Sequence, residues 1–154
     1  MEKNISEVTK VFFQKAGFVF DELSVDKTEG PENQDIFLVR MKSNDDCSLI
    51  LGHRGNNLKA AEHLIRVLLS KKINQKINLV LDLNNFREKR NDKISELARL
   101  AARKVQATSK AYVLSPMSAY ERRLVHMELA TWSDISTESI GEEPRRRVVI
   151  KPHP

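Results

Sequence analysis

Apolar residues recur at helical spacing from the start of the chain. Ile5, Val8, Phe12 and Ala16 fall on one face, Asn4 and Glu7 are spaced as a cap, and Gly17 is a stop, which predicts a first helix. Phe18 to Lys27 is rich in aromatic and β-branched residues, with Val19, Leu23 and Val25 on one side and Phe18 and Phe20 on the other, the signature of a strand. After the polar turn from Thr28 to Asp35, the run Ile36 to Met41 is apolar on both faces, as a central strand requires, so the two runs predict a hairpin. Asp45 or Asp46 is placed to cap a short helix, and Asn56 a longer one running from Asn57 to about Lys72. The longer helix carries an apolar stripe of Leu58, Ala61, Ile65 and Leu68, with Lys59, Arg66, Lys71 and Lys72 toward solvent. Ile77, Leu79, Leu81 and Leu83 then alternate with Asn78, Val80, Asp82 and Asn84, a period-two pattern that predicts a third strand.

Asn84-Asn85 is a break, and it divides the chain into expected domains of residues 1–84 and 85–154. Beyond it, Ile94, Leu97, Ala98, Ala101 and Val105 mark one face of a long helix from Phe86 to about Thr108. Ala111 to Leu114 reads as a short strand closed by Ser115-Pro116. Ser118 and Glu121 form a capping box for a helix from Ala119 to about Thr131. Ile135–Ile140 and Arg145–Lys151 read as strands joined at Gly141 to Pro144. The expected fold class is α+β: a three-stranded sheet packed by three helices, then two helices with a second three-stranded sheet.

Composition narrows the class. The 154 residues, 40% of them apolar, suffice for one domain or two small ones. No run of about 18 apolar residues occurs and Met1 to Lys15 has no apolar core, so neither a membrane span nor a signal peptide is expected, and the expected location is cytoplasmic. The single cysteine, Cys47, excludes an internal disulfide and has no neighbouring histidine, so a packed thiol is expected. The net charge of +5 is unevenly spread. Residues 1–46 carry six basic and ten acidic side chains, residues 47–84 six and two, and residues 85–154 fourteen and nine. A clustered cationic field in the later portions suits an anionic partner such as nucleic acid.

The chemistry gathers at two places. Gly52-His53-Arg54-Gly55 joins the short and long helices, and its glycines allow a sharp turn while Arg54 offers a cation near a helix N-terminus, an arrangement suited to a phosphate–sugar backbone. A Gly-x-x-Gly alone is more often a plain corner between helices. In the second half, Arg122 and His126 stand one turn apart on the same helix face, with Arg123 and Met127 beside them. The plainer alternatives are a salt bridge from Arg122 to Glu121, Glu128 or Glu138, and a packed His126 bonded to backbone. Arg87, Lys89, Arg90 and Lys93 put positive charge at the end of the long helix where the dipole prefers negative charge. They either pair with acidic groups across the domain junction or serve an external anion, and the second is favoured. An Arg–His pair also suits phosphodiester cleavage, but no carboxylate cluster, phosphate-binding Gly-Lys-Ser/Thr turn or metal-ligand spacing completes such a site, so an enzyme is not expected.

The first element order, with Gly52-His53-Arg54-Gly55 between its later helices, resembles a KH domain of type II topology. Pro116 to His126, followed by Thr137 to Glu142 and Arg146 to Ile150, resembles the single-stranded nucleic-acid-binding domain named for its Arg-x-x-x-His motif. The tandem is similar to the Jag family, the SpoIIIJ-associated proteins, over nearly the whole chain. Longer members carry an extra N-terminal domain and linker that this sequence lacks. His53 stands where many relatives have Lys or Arg, and Glu143 and Arg145 where Gly and a non-basic residue are frequent.

The resemblance implies a non-catalytic protein binding single-stranded RNA, or single-stranded DNA, in the cytoplasm. Such a protein acts as an RNA chaperone or post-transcriptional regulator linked to cell-wall growth and cell shape. A smaller KH-domain protein or a second copy is the implied partner, with no cofactor and no metal. RNA is expected in a groove between the short helix, the Gly52–Gly55 turn and the strand Ile36–Met41. The expected RNA contacts are Gly52, His53, Arg54, Gly55 and Lys59, then Arg122, His126 and Arg146, with Arg87, Arg90 and Lys93 extending the cationic track. Replacing Gly52 and Gly55 by Asp is expected to weaken RNA binding with the fold intact. The competing reading is a protein-binding adaptor at the membrane-insertion or division machinery.

Overall fold

In the computed structural model, which describes residues 1–154, the chain forms five helices and two three-stranded sheets, the α+β fold expected from the pattern. They group into two compact units, Met1–Arg87 and Glu88–Pro154. The first unit runs α1 (Glu2–Lys15), β1 (Glu22–Glu29), β2 (Asp35–Lys42), α2 (Ser48–Leu51), a 3-10 turn at His53–Gly55, α3 (Asn56–Ile73) and β3 (Asn78–Leu83). β1 pairs antiparallel with β2 (Leu23 opposite Met41), and β2 pairs parallel with β3 (Val39 opposite Leu81), so β2 is the central strand. The core lies between the sheet and the helices: Ile5 and Phe13, Val39 and Met41, Ile65 and Leu69, Leu79, Leu81 and Leu83 are essentially inaccessible. Cys47 is buried, as expected for a packed thiol, and accepts a contact from Asn84 Nδ2.

Several local expectations shift by a residue. α1 starts at Glu2 without a side-chain cap, so Asn4 lies inside the helix. Its buried positions are Ile5, Thr9 and Phe13 rather than a stripe through Phe12 and Ala16, because Phe13 gathers Phe12, Phe18 and Phe20 in edge-to-face contacts with centroids 5.2, 5.8 and 6.5 Å away. Phe18 and Phe20 are therefore wrapped against Phe13 before β1 begins at Glu22, and Val19 is exposed. Gly17 does end the helix: at φ +75° it sets the chain so that Gly17 N donates to Gln14 O and Phe18 N to Phe13 O, the paired bonds of a left-handed cap. On α3 the buried stripe is Leu58, Ala61, Ile65 and Leu69, and Leu68 is exposed. At about 100° per residue, Leu69 returns to within about 20° of Leu58 while Leu68 points about 80° away.

The second unit holds α4 (Phe86–Thr108, its first two residues belonging to the first unit), β4 (Tyr112–Val113), α5 (Ala119–Leu129), β5 (Ile135–Ile140) and β6 (Arg147–Pro152). β6 is central, antiparallel to β4 and β5, with Val148, Val149 and Ile150 all buried. α4 packs on it through Ile94, Ala98, Ala101, Ala102 and Val105, and Leu97 turns outward. The buried stripe is therefore rotated toward the Ala102 flank and away from Leu97, which lies about 140° from Ala102 around the helix. No helix of the chain is long and apolar enough to cross a membrane.

Candidate nucleic-acid interface

The turn between α2 and α3 is built by its glycines. Asp46 Oδ1 accepts from Ser48 N at 2.9 Å and so steers the chain into α2. Gly52 then takes φ +66°, ψ −174°, a region open to glycine alone, and Gly55 takes φ +78°. A Cβ at Gly52 would stand 2.5 Å from Asn57 Cγ, and one at Gly55 2.5 Å from Phe86 Cε1. Asn57 is itself fastened, its Nδ2 donating to Leu49 O at 2.7 Å. The expectation that both glycines accept Asp with the fold intact is therefore overturned: the added side chains collide with a tethered amide and a core-packed ring. Asn56 is not a cap either. α3 begins directly after Gly55 with no side chain on its first N–H groups, which leaves a helix N-terminus of eighteen residues at the turn. Arg54 holds a left-handed φ of +56°, half-buried, while His53 and Lys59 are exposed. Leu49, 81% exposed beside them, is a surface group that the pattern of the sequence did not single out.

Both edges of β2 are paired, so that strand has no edge free for a ligand; β1 and β3 are the strands with an open edge, and it is β3 that lies beside α3. The edge of β3 is covered at Leu81. Glu62 Oε2 accepts from Leu81 N at 3.0 Å, and Arg87 Nε donates to Leu81 O at 3.1 Å. Glu62 is also ion-paired with Arg66 at 2.6 Å and Arg87 at 2.8 Å. In the second unit Arg90 Nε donates to Glu121 Oε1 at 2.8 Å. Of the two alternatives for these cations, Arg87 and Arg90 follow the first, pairing with acidic groups: Arg87 with Glu62, which precedes the Asn84-Asn85 break, and Arg90 with Glu121 inside the second unit. Lys93 is exposed.

α5 is set by the capping box, both of whose bonds form: Glu121 N to Ser118 Oγ at 3.3 Å and Ser118 N to Glu121 Oε2 at 3.0 Å. From it project Arg122 and His126. With Arg123, Met127, Ser139 and Arg146 they line one concavity of about 460 Å³. Arg122, His126 and Arg146 are thus brought together; Arg87, Arg90 and Lys93 do not line this concavity. Arg122 is buried, with Nη1 donating to Met117 O at 2.8 Å and Nη2 ion-paired to Glu143 at 2.7 Å, a partner outside the three carboxylates considered from sequence. His126 bonds two hydroxyls rather than backbone: Nδ1 with Thr137 Oγ1 at 2.7 Å and Nε2 with Ser139 Oγ at 2.8 Å. Thr137 and Ser139 stand two apart on β5, so they share a face of the strand. That spacing was the available signal, but it has meaning only once α5 is known to lie against β5.

Burial, and secondarily the neighbouring Arg122 guanidinium, lowers the pKa of His126 from its usual 6.5. The unfolded chain therefore binds a proton that the folded unit resists. The sign follows: the contribution to stability is fully present above about pH 6.5 and is lost as pH falls through the lowered folded pKa. Thermal midpoints of the second unit are expected to drop between about pH 7 and pH 5, and His126→Gln is expected to flatten that part of the profile.

Comparison with known proteins agrees with this geometry. The family of the R-three-H domain, named for the Arg-x-x-x-His motif, matches residues 92–152, which contain α5, the concavity and the three strands' central pairings. The protein named RNA-binding protein KhpB of Clostridium symbiosum is 33% identical over 129 residues, covering 84% of this chain and 56% of that protein. Proteins of the same name from Lactiplantibacillus plantarum and Bacillus subtilis are 37% and 35% identical over 102 and 108 residues, covering 66% and 69% of this chain and 32% and 52% of theirs. The chain thus spans about half the length of these relatives, or less. Residues 92–152 are an R-three-H domain, and the chain is a homologue of the KhpB proteins, the Jag family that its sequence resembles.

Proposed function

We propose that this chain binds single-stranded RNA without catalysis, the first unit acting as a type II KH domain and the second as an R-three-H domain. The observation that carries the reading is the concavity on α5, where Arg122, Arg123 and Arg146 converge around His126 in the segment matching the Arg-x-x-x-His family. Relatives are named RNA-binding proteins, which supports the same ligand class. In the first unit, phosphates would meet His53, Arg54, Lys59 and the N-terminus of α3, with Leu49 offering an apolar face to a base. Arg87 and Arg90 hold the scaffold through their carboxylate partners, and Lys93 adds to the field. His126, with both ring nitrogens bonded to hydroxyls, orients the α5–β5 wall and is poorly placed as a general acid or base.

By the same resemblance, the bound RNA would be handled by a chaperone or regulator of messages for cell-wall growth and cell shape in the cytoplasm. Leu64, Val67 and Leu68, exposed together on α3, favour a protein partner as well, a second copy or a smaller KH-domain protein; this face is what the adaptor reading would use.

The test is binding of a single-stranded RNA oligomer over a salt series. Log affinity is expected to fall linearly with log salt, by about 0.7 for each phosphate neutralised. The variants His53→Asp/Arg54→Asp and Arg123→Gln/Arg146→Gln should each weaken binding and shallow the slope by on the order of one or more. A salt-insensitive affinity untouched by either pair would remove the nucleic-acid reading and leave the adaptor.

A further inference from the structure

The outward end of Arg122 is already occupied by an anion of the protein itself. Its side chain is 9% exposed, Nη1 is spent on Met117 O, and Nη2 meets Glu143 Oε1 at 2.7 Å, whereas the Glu143 side chain is 59% exposed. The pair is lopsided. The cation is fixed by the fold at the first turn of α5, and the carboxylate rides on the loop between β5 and β6, mostly in water. A carboxylate and a phosphate present the same thing to a guanidinium, charged oxygens matched to its fork of N–H donors.

We infer that Glu143 stands in for an RNA phosphate: it fills the anion position on Arg122 in the free protein, and a phosphate of single-stranded RNA displaces it. This inference rests on the RNA-binding reading above. A nearly buried guanidinium is costly to leave without a counter-charge, so the second unit keeps one in reserve. The exposed carboxylate, already largely hydrated, returns to water at small cost. Arg123 and Arg146 line a concavity with Arg122, while Glu143 lines the neighbouring one with Arg145 and Arg147, so cationic side chains remain on Arg122's side once Glu143 has left. Binding at this unit is therefore an exchange of one anion for another, which lowers affinity and selects strands whose backbone reaches Arg122 rather than any polyanion near the surface.

The experiment compares Glu143→Gln with Glu142→Gln, which removes the same formal charge from the same loop but not from Arg122. With a ten-nucleotide oligouridylate at fixed salt, Glu143→Gln is expected to bind about three- to tenfold tighter than the unaltered chain. Glu142→Gln should give a distinctly smaller gain. Without RNA, Glu143→Gln should melt at lower temperature, and inorganic phosphate should raise its midpoint more than that of the unaltered chain. Equal gains for the two variants, or weaker binding by Glu143→Gln, would overturn the exchange. Should Glu143→Gln prove too unstable to assay, Glu143→Asp carries the test, since it keeps the charge but shortens its reach: tighter binding supports the exchange, and equal or weaker binding overturns it. The Arg123→Gln/Arg146→Gln pair separates the two claims. If it leaves binding intact, the concavity on α5 does not hold the RNA and the exchange falls with it; if it weakens binding while Glu143→Gln behaves as Glu142→Gln, the exchange alone fails.

Discussion

Replacing Gly55 by alanine is expected to destabilise the first unit by about 2–4 kcal/mol, the sum of a backbone penalty near 1 kcal/mol and an overpacking cost of about 1–3 kcal/mol. The backbone part comes from φ +78°, which a residue with a Cβ adopts reluctantly. The packing part comes from Phe86, whose Cε1 and Cζ would lie 2.5 and 3.2 Å from the new methyl. That ring packs against the core of the first unit, so it cannot yield without opening apolar contacts. A denaturant titration followed by circular dichroism measures the loss, and a shift in thermal midpoint of roughly 10 °C or more should accompany it. A Gly55→Ala chain within about 0.5 kcal/mol of the unaltered one would mean that Phe86 does not press on the turn.

The same geometry decides which substitutions can speak about RNA. Loss of binding in a Gly55 variant would follow from damage to the turn, whatever its role. His53→Asp/Arg54→Asp leaves both glycines in place, and Asp tolerates the left-handed conformation of Arg54 better than most residues do. It reverses the charge of the turn while preserving its path, so a change in affinity there reports on the ligand.

What could be read from the residues was whatever depends on neighbours in sequence. The Ser118–Glu121 box forms both of its bonds, Gly17 ends α1 with the expected left-handed cap, and the alternation through Leu79, Leu81 and Leu83 is the buried face of β3. Errors of one residue arose where two adjacent side chains are both apolar, as at Phe12–Phe13 and Leu68–Leu69. Periodicity leaves about 100° of rotation to choose between such neighbours, and only packing chooses. The aromatic run at Phe18–Phe20 misled for a related reason, since its strand propensity gave way to contacts with Phe13. At the candidate site, Arg122 and His126 could be placed on one face from their spacing of four. Their partners could not: Glu143 lies twenty-one positions after Arg122, and Thr137 and Ser139 reach His126 only because β5 packs beside α5. Arg87 and Arg90 looked free because charge at a helix start suggests an external anion. Glu62 and Glu121 were equally visible in the chain, but nothing local assigns either to an arginine 25 or 31 residues away.

The second large effect belongs to Glu121. It is 7% exposed, and its two oxygens serve different elements: Oε1 accepts from Arg90 Nε on α4 and Oε2 from the backbone N of Ser118 that opens α5. Glu121→Ala removes both bonds and leaves a partly buried guanidinium uncompensated, for an expected loss of about 3–5 kcal/mol in the second unit. Glu121→Gln, which keeps an oxygen for Ser118 but not the charge for Arg90, should lose less, and a double-mutant cycle with Arg90→Ala isolates the coupling between them. The cycle also fixes what Arg90 does for RNA. If it serves only to hold α5 in register, Arg90→Ala lowers RNA affinity by loosening Arg122 and His126, and the slope of log affinity against log salt stays as it was. If Arg90 instead met a phosphate, the slope would fall by on the order of 0.7, one phosphate's worth of released counterions. The 2.8 Å bond to a nearly buried carboxylate favours the first outcome, since a phosphate would have to take Arg90 from Glu121 and leave that carboxylate without its cation.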